Sequence, residues 1–199
     1  MSSRAAACHF FIVVLVLGGV FYGLHRSTYV PRHVNDICAM FKARPQWRSA
    51  TRRAAARWHI PESTQMAVIW QESRFQASIK PRREWLLGVI PWAHPTSAVG
   101  YAQAIHGTWQ RYLKATDQDG GSREKFAQAT DFVAWYLATL HKRLSIPKAD
   151  VGRLYLAYHE GQYGYLHGQG SHQRRLQQIA RRVAAQARRY QRQLRRCRV

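Results

Sequence analysis

The stretch Met66-Ala-Val-Ile-Trp-Gln-Glu-Ser-Arg-Phe75 predicts a helix, because its apolar residues recur at helical spacing. Met66, Ile69 and Ser73 fall on one buried stripe of that helix, and Glu72 lies beside it. A carboxyl group in apolar surroundings resists ionisation, so its pKa rises and it holds a proton near neutral pH. Glu72 is therefore a candidate general acid. The alternative is a structural acid at the edge of the stripe, paired with one of the many arginines.

The spacing of apolar residues after residue 27 predicts further helices joined by turns. This part of the sequence has no alternating strand pattern and no internal repeat. One helix runs from Trp47 to Trp58, and Pro61 suits the first turn of the next. Later helices are expected to begin at Thr108, Ser122, Asp150 and Ser171, and Gly161 to end the third of them. The predicted fold class is all-α.

An apolar run of about 20 residues, from Ala5 to Leu24, is long enough to span a bilayer as a helix. The residues after it lack a clear small-residue cleavage site, which favours an uncleaved anchor over a cleaved signal peptide. We therefore divide the chain into a membrane anchor at residues 1–27, a linker at 28–45 and a helical domain at 46–199.

The charge balance points to a polyanionic neighbour. Lys and Arg number 31 against 10 Asp and Glu, a formal net charge of +21. Nucleic acid, anionic lipid and an acidic cell-wall polymer would all satisfy it. Ten arginines lie between Arg174 and Arg198, around the apolar stripe of the last helix. They form either the solvated face of a docked helix or a contact with anionic lipid or polymer.

Two cysteines follow the apolar run, Cys38 and Cys197, one near each end of the domain. In an oxidising compartment they would form a single bridge, and the alternative is two free thiols. The ten histidines are scattered, without convincing metal-ligand spacing, so no metal and no other cofactor is expected.

Two glycine-containing segments follow the Glu72 helix. In Ser97-Ala-Val-Gly-Tyr-Ala-Gln-Ala104, Gly100 allows a close turn and Gln103 offers an amide. In Tyr155-Leu-Ala-Tyr-His-Glu-Gly161, Tyr158 stands just before a sharp exit from a helix. Each segment alone is common among turns and cores.

Together and in this order, three motifs resemble those of the lytic transglycosylases of the goose-lysozyme-like class, the SLT domain family. Glu72-Ser73 is similar to the family's Glu-Ser pair at a helix end. Gly100-Tyr-Ala-Gln103 corresponds to the family's Gly-Leu-Met-Gln segment, and Ala157-Tyr-His-Glu-Gly161 corresponds to its Ala-Tyr-Asn-x-Gly segment. The resemblance covers about residues 60–170 and implies a lysozyme-like helical domain.

The resemblance implies that Glu72 is the single acid and base that cleaves the β-1,4 bond between N-acetylmuramic acid and N-acetylglucosamine. The muramic C6 hydroxyl attacks the anomeric carbon and gives a 1,6-anhydro product without water. Tyr158 would hydrogen-bond near the acid. A muramidase that uses water on the same substrate is the alternative, and ordinary glycosidases need two carboxylates. Glu160 would be either that second carboxylate or a helix-end residue neutralised by an arginine.

The same resemblance implies the residues that bind sugar, with departures from the family pattern. The candidates are Ser73, Ser97, Gly100, Tyr101, Gln103, His159, Glu160 and Tyr163. Tyr101 and Ala102 replace Leu-Met, and His159 replaces Asn. The interval from Glu72 to Gln103 is also long, and we expect its residues 80–95 to form a loop over or beside the groove.

Peptidoglycan glycan strands are the partner that the resemblance implies, and no nucleic acid is expected. With residues 5–24 as a single-pass anchor in the inner membrane, the catalytic domain would lie in the periplasm. Export after signal cleavage is the alternative. A third hypothesis is a non-catalytic membrane protein that binds cell wall or nucleic acid through its arginines.

Overall fold

The computed structural model describes residues 30–79, 84–86, 90–93, 97–168 and 173–197. Seven helices make up most of this part of the chain. They are α1 (Ile37–Ala43), α2 (Pro45–Trp58), α3 (Glu62–Ser73), α4 (His106–Ala115), α5 (Phe126–Leu144), α6 (Val151–Leu166) and α7 (Arg174–Leu194). The helical fold predicted from the sequence is thereby confirmed. No described helix is long and apolar enough to cross a membrane. The expected anchor at residues 5–24 lies outside the described residues.

A short antiparallel hairpin corrects the prediction that residues 80–95 form a loop. Strands β1 (Glu84–Leu86) and β2 (Ile90–Ala93) pair within the segment expected to be a loop. The strands are three and four residues long. An alternating pattern needs more residues than this to be recognised, which explains why the sequence did not reveal the hairpin.

Helix α3 packs against three other helices, α2, α5 and α7. Its buried Gln65 has both ends of its amide satisfied: Nε2 donates to the carbonyl oxygens of Thr51 and Ile60, and Oε1 accepts from Thr130. A buried amide costs free energy unless it is paired, so this set of bonds fixes α3 relative to α2 and α5.

Aromatic rings fill the core beside α3. Trp47 of α2 stacks on Phe126 with ring centroids 4.1 Å apart, and it also contacts Phe75 and the edge of Tyr101. Offset and edge-on ring pairs add to the free energy gained from burial. Tyr101 is 4 % exposed as a result, so its ring is part of the core.

Helix α1 replaces part of the expected linker at residues 28–45. Asp36 caps it by accepting a hydrogen bond from the backbone of Ala39, and its apolar residues are buried in the core. Gln193 of α7 accepts from the backbone N–H of Ile37 at 3.1 Å. A disulfide between Cys38 and Cys197 joins α1 to the end of α7, as predicted. A helix of seven residues is too short for a periodic pattern, so the sequence did not show it.

Two predicted helix starts were wrong and one was confirmed. Helix α4 begins at His106, two residues before Thr108, which is buried in its first turn. Helix α5 begins at Phe126 because Ser122 belongs to the preceding turn, where its hydroxyl accepts from the backbone of Glu124. Asp150 caps α6 as expected, by accepting from the backbone of Arg153. The predicted start at Ser171 lies outside the described residues, and α7 is described from Arg174.

Candidate active site

The chain reverses direction immediately after Glu72 and Ser73, the last two residues of α3. Arg74 and Phe75 both adopt left-handed backbone conformations, with φ of 51° and 63°. Consecutive non-glycine residues in this region cost free energy and persist only where packing holds them. Here the side chain of Phe75 is fully buried and stacks on Trp47, which compensates for the strain. The reversal leaves Glu72 at a helix end, at the margin of the core.

The carboxyl group of Glu72 is desolvated and carries an unsatisfied oxygen. Its Oε1 is buried and has no hydrogen-bond partner in the described part of the chain. Burial raises the pKa of Glu72 to about 7, and a hydrogen bond with the Tyr155 hydroxyl lowers it in part. The ion pairs among the described residues involve Asp131 and Asp150, so no arginine found there neutralises Glu72. This environment keeps a large protonated fraction at neutral pH, as a general acid requires.

Two tyrosines of α6 surround this carboxyl group. Tyr155 and Tyr158 are three residues apart and therefore share a helix face. The hydroxyl of Tyr155 lies close enough to the carboxyl group of Glu72 for each group to shift the pKa of the other. The hydroxyl of Tyr158 instead donates to the carbonyl oxygen of Ala102 at 2.7 Å, although Tyr158 lies near enough for the charge of Glu72 to help raise its pKa. Tyr158 thus joins the third motif to the second, while Tyr155 contacts the acid.

The second motif forms a tight turn that only glycine permits at its centre. Gly100 has a φ of 80°, and a Cβ there would lie 2.1 Å from the carbonyl oxygen of Arg123. The Nε2 of Gln103 donates to the carbonyl oxygens of Ile79 and Gly100 at 3.0 and 2.8 Å. The amide therefore ties the segment after α3 to this turn.

A sequence profile of the transglycosylase SLT domain matches residues 8–197. The chain belongs to the transglycosylase SLT domain family. Membership indicates a lytic transglycosylase enzyme with peptidoglycan as its substrate. No curated protein matches the chain.

In this SLT domain, three of the predicted sugar-binding side chains are engaged elsewhere. Ser73 is 1 % exposed and its hydroxyl donates to the carbonyl oxygen of Ile69 in its own helix. The hydroxyl of Ser97 accepts from the backbone N–H of His106, at the start of α4. Tyr101 lies in the core. These contacts do not favour the predicted sugar contacts of Ser73, Ser97 and Tyr101. The sequence motifs could not show this, because a motif does not reveal which distant residues contact a side chain.

The remaining candidates of the SLT domain lie at the surface around the end of α6. His159 is exposed, and its ring centroid is 6.3 Å from that of Tyr155. Glu160 is partly exposed. Gly161 leaves helical geometry at a φ of 71°, but helical turns resume after it, so the expected helix end is a bend. Tyr163 follows the bend and is 69 % exposed.

Tyr155 is the site residue that the sequence did not single out. A tyrosine on the apolar stripe of a helix is indistinguishable from an ordinary core residue unless its partner is known. Its spacing of three residues from Tyr158 was the available signal, since both side chains must point to the same side of α6.

Proposed function

We propose that this SLT domain is a lytic transglycosylase that cleaves the β-1,4 bond between N-acetylmuramic acid and N-acetylglucosamine, with Glu72 as its single acid and base. The proposal rests on the carboxyl group of Glu72, at the end of α3. Its Oε1 is buried and has no hydrogen-bond partner among the described residues, and burial raises its pKa to about 7. The free oxygen is available for substrate, and the raised pKa suits both proton donation and return.

The reaction needs no second carboxylate. Protonated Glu72 donates its proton to the glycosidic oxygen while the bond from that oxygen to the anomeric carbon breaks. The carboxylate then accepts the proton of the muramic C6 hydroxyl as its oxygen bonds to the anomeric carbon. A 1,6-anhydro ring forms, the leaving sugar keeps the first proton, and Glu72 is protonated again. The substrate thus supplies the nucleophile that a second acid activates in ordinary glycosidases.

The neighbouring residues have supporting roles in this proposal. Tyr155 orients the carboxyl group of Glu72 through its hydroxyl, and Tyr158 and Gln103 hold the Gly100 turn in place by their bonds to backbone carbonyls. The surface residues most suited to contact sugar are His159, Glu160 and Tyr163. Their side chains are accessible on α6, the helix that also carries Tyr155 and Tyr158.

We also propose that the protein is a single-pass inner-membrane protein, anchored through residues 5–24, with the SLT domain in the periplasm. The disulfide between Cys38 and Cys197 supports an oxidising compartment. Export after cleavage of the apolar segment is the alternative. The arginines of α7 would face an anionic polymer or lipid in either case.

The test is a digest of purified peptidoglycan with the full chain, with the products identified by mass spectrometry. A 1,6-anhydro muropeptide is one water lighter than the product of hydrolysis. We expect the lighter species from the native protein and neither species from the Glu72→Gln variant. Hydrolytic products would replace the proposal with a muramidase. Binding to cell wall without any product would support the non-catalytic hypothesis.

A further inference from the structure

A cleft separate from the catalytic group lies between the first turn of α3, the start of α6 and one face of α7. Its volume is about 610 Å³, and Glu72 is not among the residues that line it. Cavities of this size hold small molecules and short peptides. It shares two helices with the active site, since Leu156 of the cleft adjoins Tyr155, and Thr64 precedes Glu72 by eight residues. Eight residues of helix span about 12 Å.

The walls of this cleft carry positive charge that nothing in the described chain neutralises. Lys148, Arg181 and Arg188 line it and form no ion pair among the described residues. The acid on the same wall, Asp150, is already engaged: it caps α6 and lies 3.8 Å from the guanidinium of Arg153. Three cations therefore remain for a ligand.

The arginines of α7 follow a repeat of seven residues. The pairs are Arg174 and Arg175, Arg181 and Arg182, Arg188 and Arg189, and Arg195 and Arg196. Seven residues are nearly two helical turns, so corresponding pairs lie about 10.5 Å apart along the axis with a rotation of only about 20°. In the two central pairs, Arg181 and Arg188 line the cleft, whereas Arg182 and Arg189 do not. The helix thus presents cations to this cleft at a regular spacing.

The floor of the cleft, at the first turn of α3, is polar. Ser63 and Thr64 line it although they are only 5 % and 2 % exposed, and neither hydroxyl has a hydrogen-bond partner among the described residues. Helix α3 also lacks a side-chain cap, which leaves backbone N–H groups at its first turn for an acceptor. Small residues of α7 keep the slot open, namely Ala180, Ala184 and Ala187.

We propose that this cleft binds the carboxylates of the short peptides attached to the muramic acid residues of peptidoglycan. The inference rests on the proposed function, because it assigns a second contact to the same substrate. Unpaired cations on the walls and free donors on the floor are complementary to carboxylates. A cleft of about 610 Å³ between three helices has room for a peptide that projects from a glycan strand.

The binding experiment uses the full chain in detergent micelles and the synthetic tetrapeptide L-alanyl-D-glutamyl-meso-diaminopimelyl-D-alanine, titrated by calorimetry. We expect binding that weakens about tenfold or more in the double variant Arg181→Glu, Arg188→Glu, because each substitution replaces a charge-assisted contact with repulsion between like charges. The matched control is Arg175→Glu, Arg189→Glu, which changes the charge of the same helix equally at exposed positions outside the cleft. We expect its affinity to stay within about twofold of the native value.

Equal loss in both double variants would overturn the proposal in favour of non-specific charge attraction, and no loss in either would also overturn it. Binding to phosphatidylglycerol vesicles without binding to the tetrapeptide would assign the arginines to lipid instead. Thermal unfolding of each variant confirms folding, and Lys148→Gln gives a milder test of the same wall, with weaker tetrapeptide binding expected.

Turnover separates this proposal from the proposed function. Intact glycan strands and strands stripped of peptide by an amidase are digested in parallel. We expect Arg181→Glu, Arg188→Glu to slow cleavage of intact strands and to leave cleavage of stripped strands unchanged. Equal slowing on both substrates would overturn the peptide site. A native protein that cleaves neither substrate but binds the tetrapeptide would refute the proposed function alone.

Discussion

Glu72 and Asp131 are two acids at the margin of the same aromatic core, with opposite surroundings. Asp131 accepts hydrogen bonds from the Trp58 indole at 2.9 Å and the Tyr112 hydroxyl at 2.8 Å, and Arg57 lies 3.5 Å away. Both of its oxygens are therefore satisfied, and its charge is balanced. Among the described residues, Glu72 has a tyrosine on one side, a buried oxygen without a hydrogen-bond partner, and no ion pair with a cation.

These surroundings give the same functional group two different roles in one fold. A carboxylate surrounded by donors and a cation is stable as an anion and joins the helices that supply those donors. A carboxyl group without them is poised to exchange a proton. Asp131 therefore connects α2, α4 and α5, whereas Glu72 is left reactive.

The sharpest test of this contrast is the same change, acid to amide, at both positions. Glu72→Gln should reduce the rate of peptidoglycan cleavage by about 100-fold or more, the usual contribution of a general acid. Asp131→Asn should leave the rate per folded molecule within a few-fold of native. Rates are measured by release of soluble muropeptides and normalised to the folded fraction. A comparable loss of rate in both variants would show that the two acids do not differ in role.

The pH dependence of stability provides the second test. The pKa of Glu72 is raised in the folded state from 4.5 to about 7, so its contribution to stability is complete below pH 4.5 and is lost as pH rises through 7. A shift of this size corresponds to about 3 kcal/mol. The neutral Glu72→Gln variant escapes this loss, and its unfolding free energy should exceed the native value at pH 8 by an amount that shrinks towards pH 5. Denaturant unfolding at both pH values measures it, and a constant difference would contradict desolvation of the acid.

The third test concerns Asp131 alone. Replacement by Asn removes the negative charge that accepts hydrogen bonds from Trp58 and Tyr112 and lies 3.5 Å from Arg57. We expect a loss of about 1–3 kcal/mol in unfolding free energy at neutral pH, because hydrogen bonds to a charged group contribute more than those to a neutral one. The same denaturant series measures it. The Arg57→Gln variant is the control for the ion pair, and its smaller effect should reflect the half-exposed position of Arg57.

The smallest expected effect is that of Tyr155→Phe. The hydroxyl of Tyr155 lowers the pKa of Glu72, so its removal should raise that pKa further above its usual range. Activity requires the protonated acid, so the alkaline limb of the pH–rate profile should move to higher pH by up to about one unit. Tyr165→Phe on the same helix removes a hydroxyl bonded to Arg153 and should leave the limb in place. A shift to lower pH would refute the assigned role of Tyr155.

Local patterns predicted the features that depend on neighbours in sequence. Three examples are the helix around Glu72, the cap at Asp150 and the need for glycine at position 100. Each could be predicted because it follows from spacing or backbone geometry within a few residues. The disulfide was predictable for another reason, since the chain offers few cysteines.

Features that depend on distant partners were not accessible to the sequence. Tyr101 was expected to contact sugar because it stands within a motif, but Trp47 and Phe126 enclose its ring in the core. Tyr155 could not be distinguished from a core residue in the sequence, because its partner Glu72 lies 83 positions earlier in the chain. The sequence, which is rich in arginine, also did not show that none of the described arginines forms an ion pair with Glu72.

The bond between Cys38 and Cys197 has a mechanical consequence. These residues are 159 positions apart, so the covalent bond closes nearly the whole described domain into a ring. The two ends of the described domain are therefore held together at one corner, beside α1 and the end of α7. Tension applied between those two ends would pass through the sulfur atoms and leave the enclosed helices unloaded.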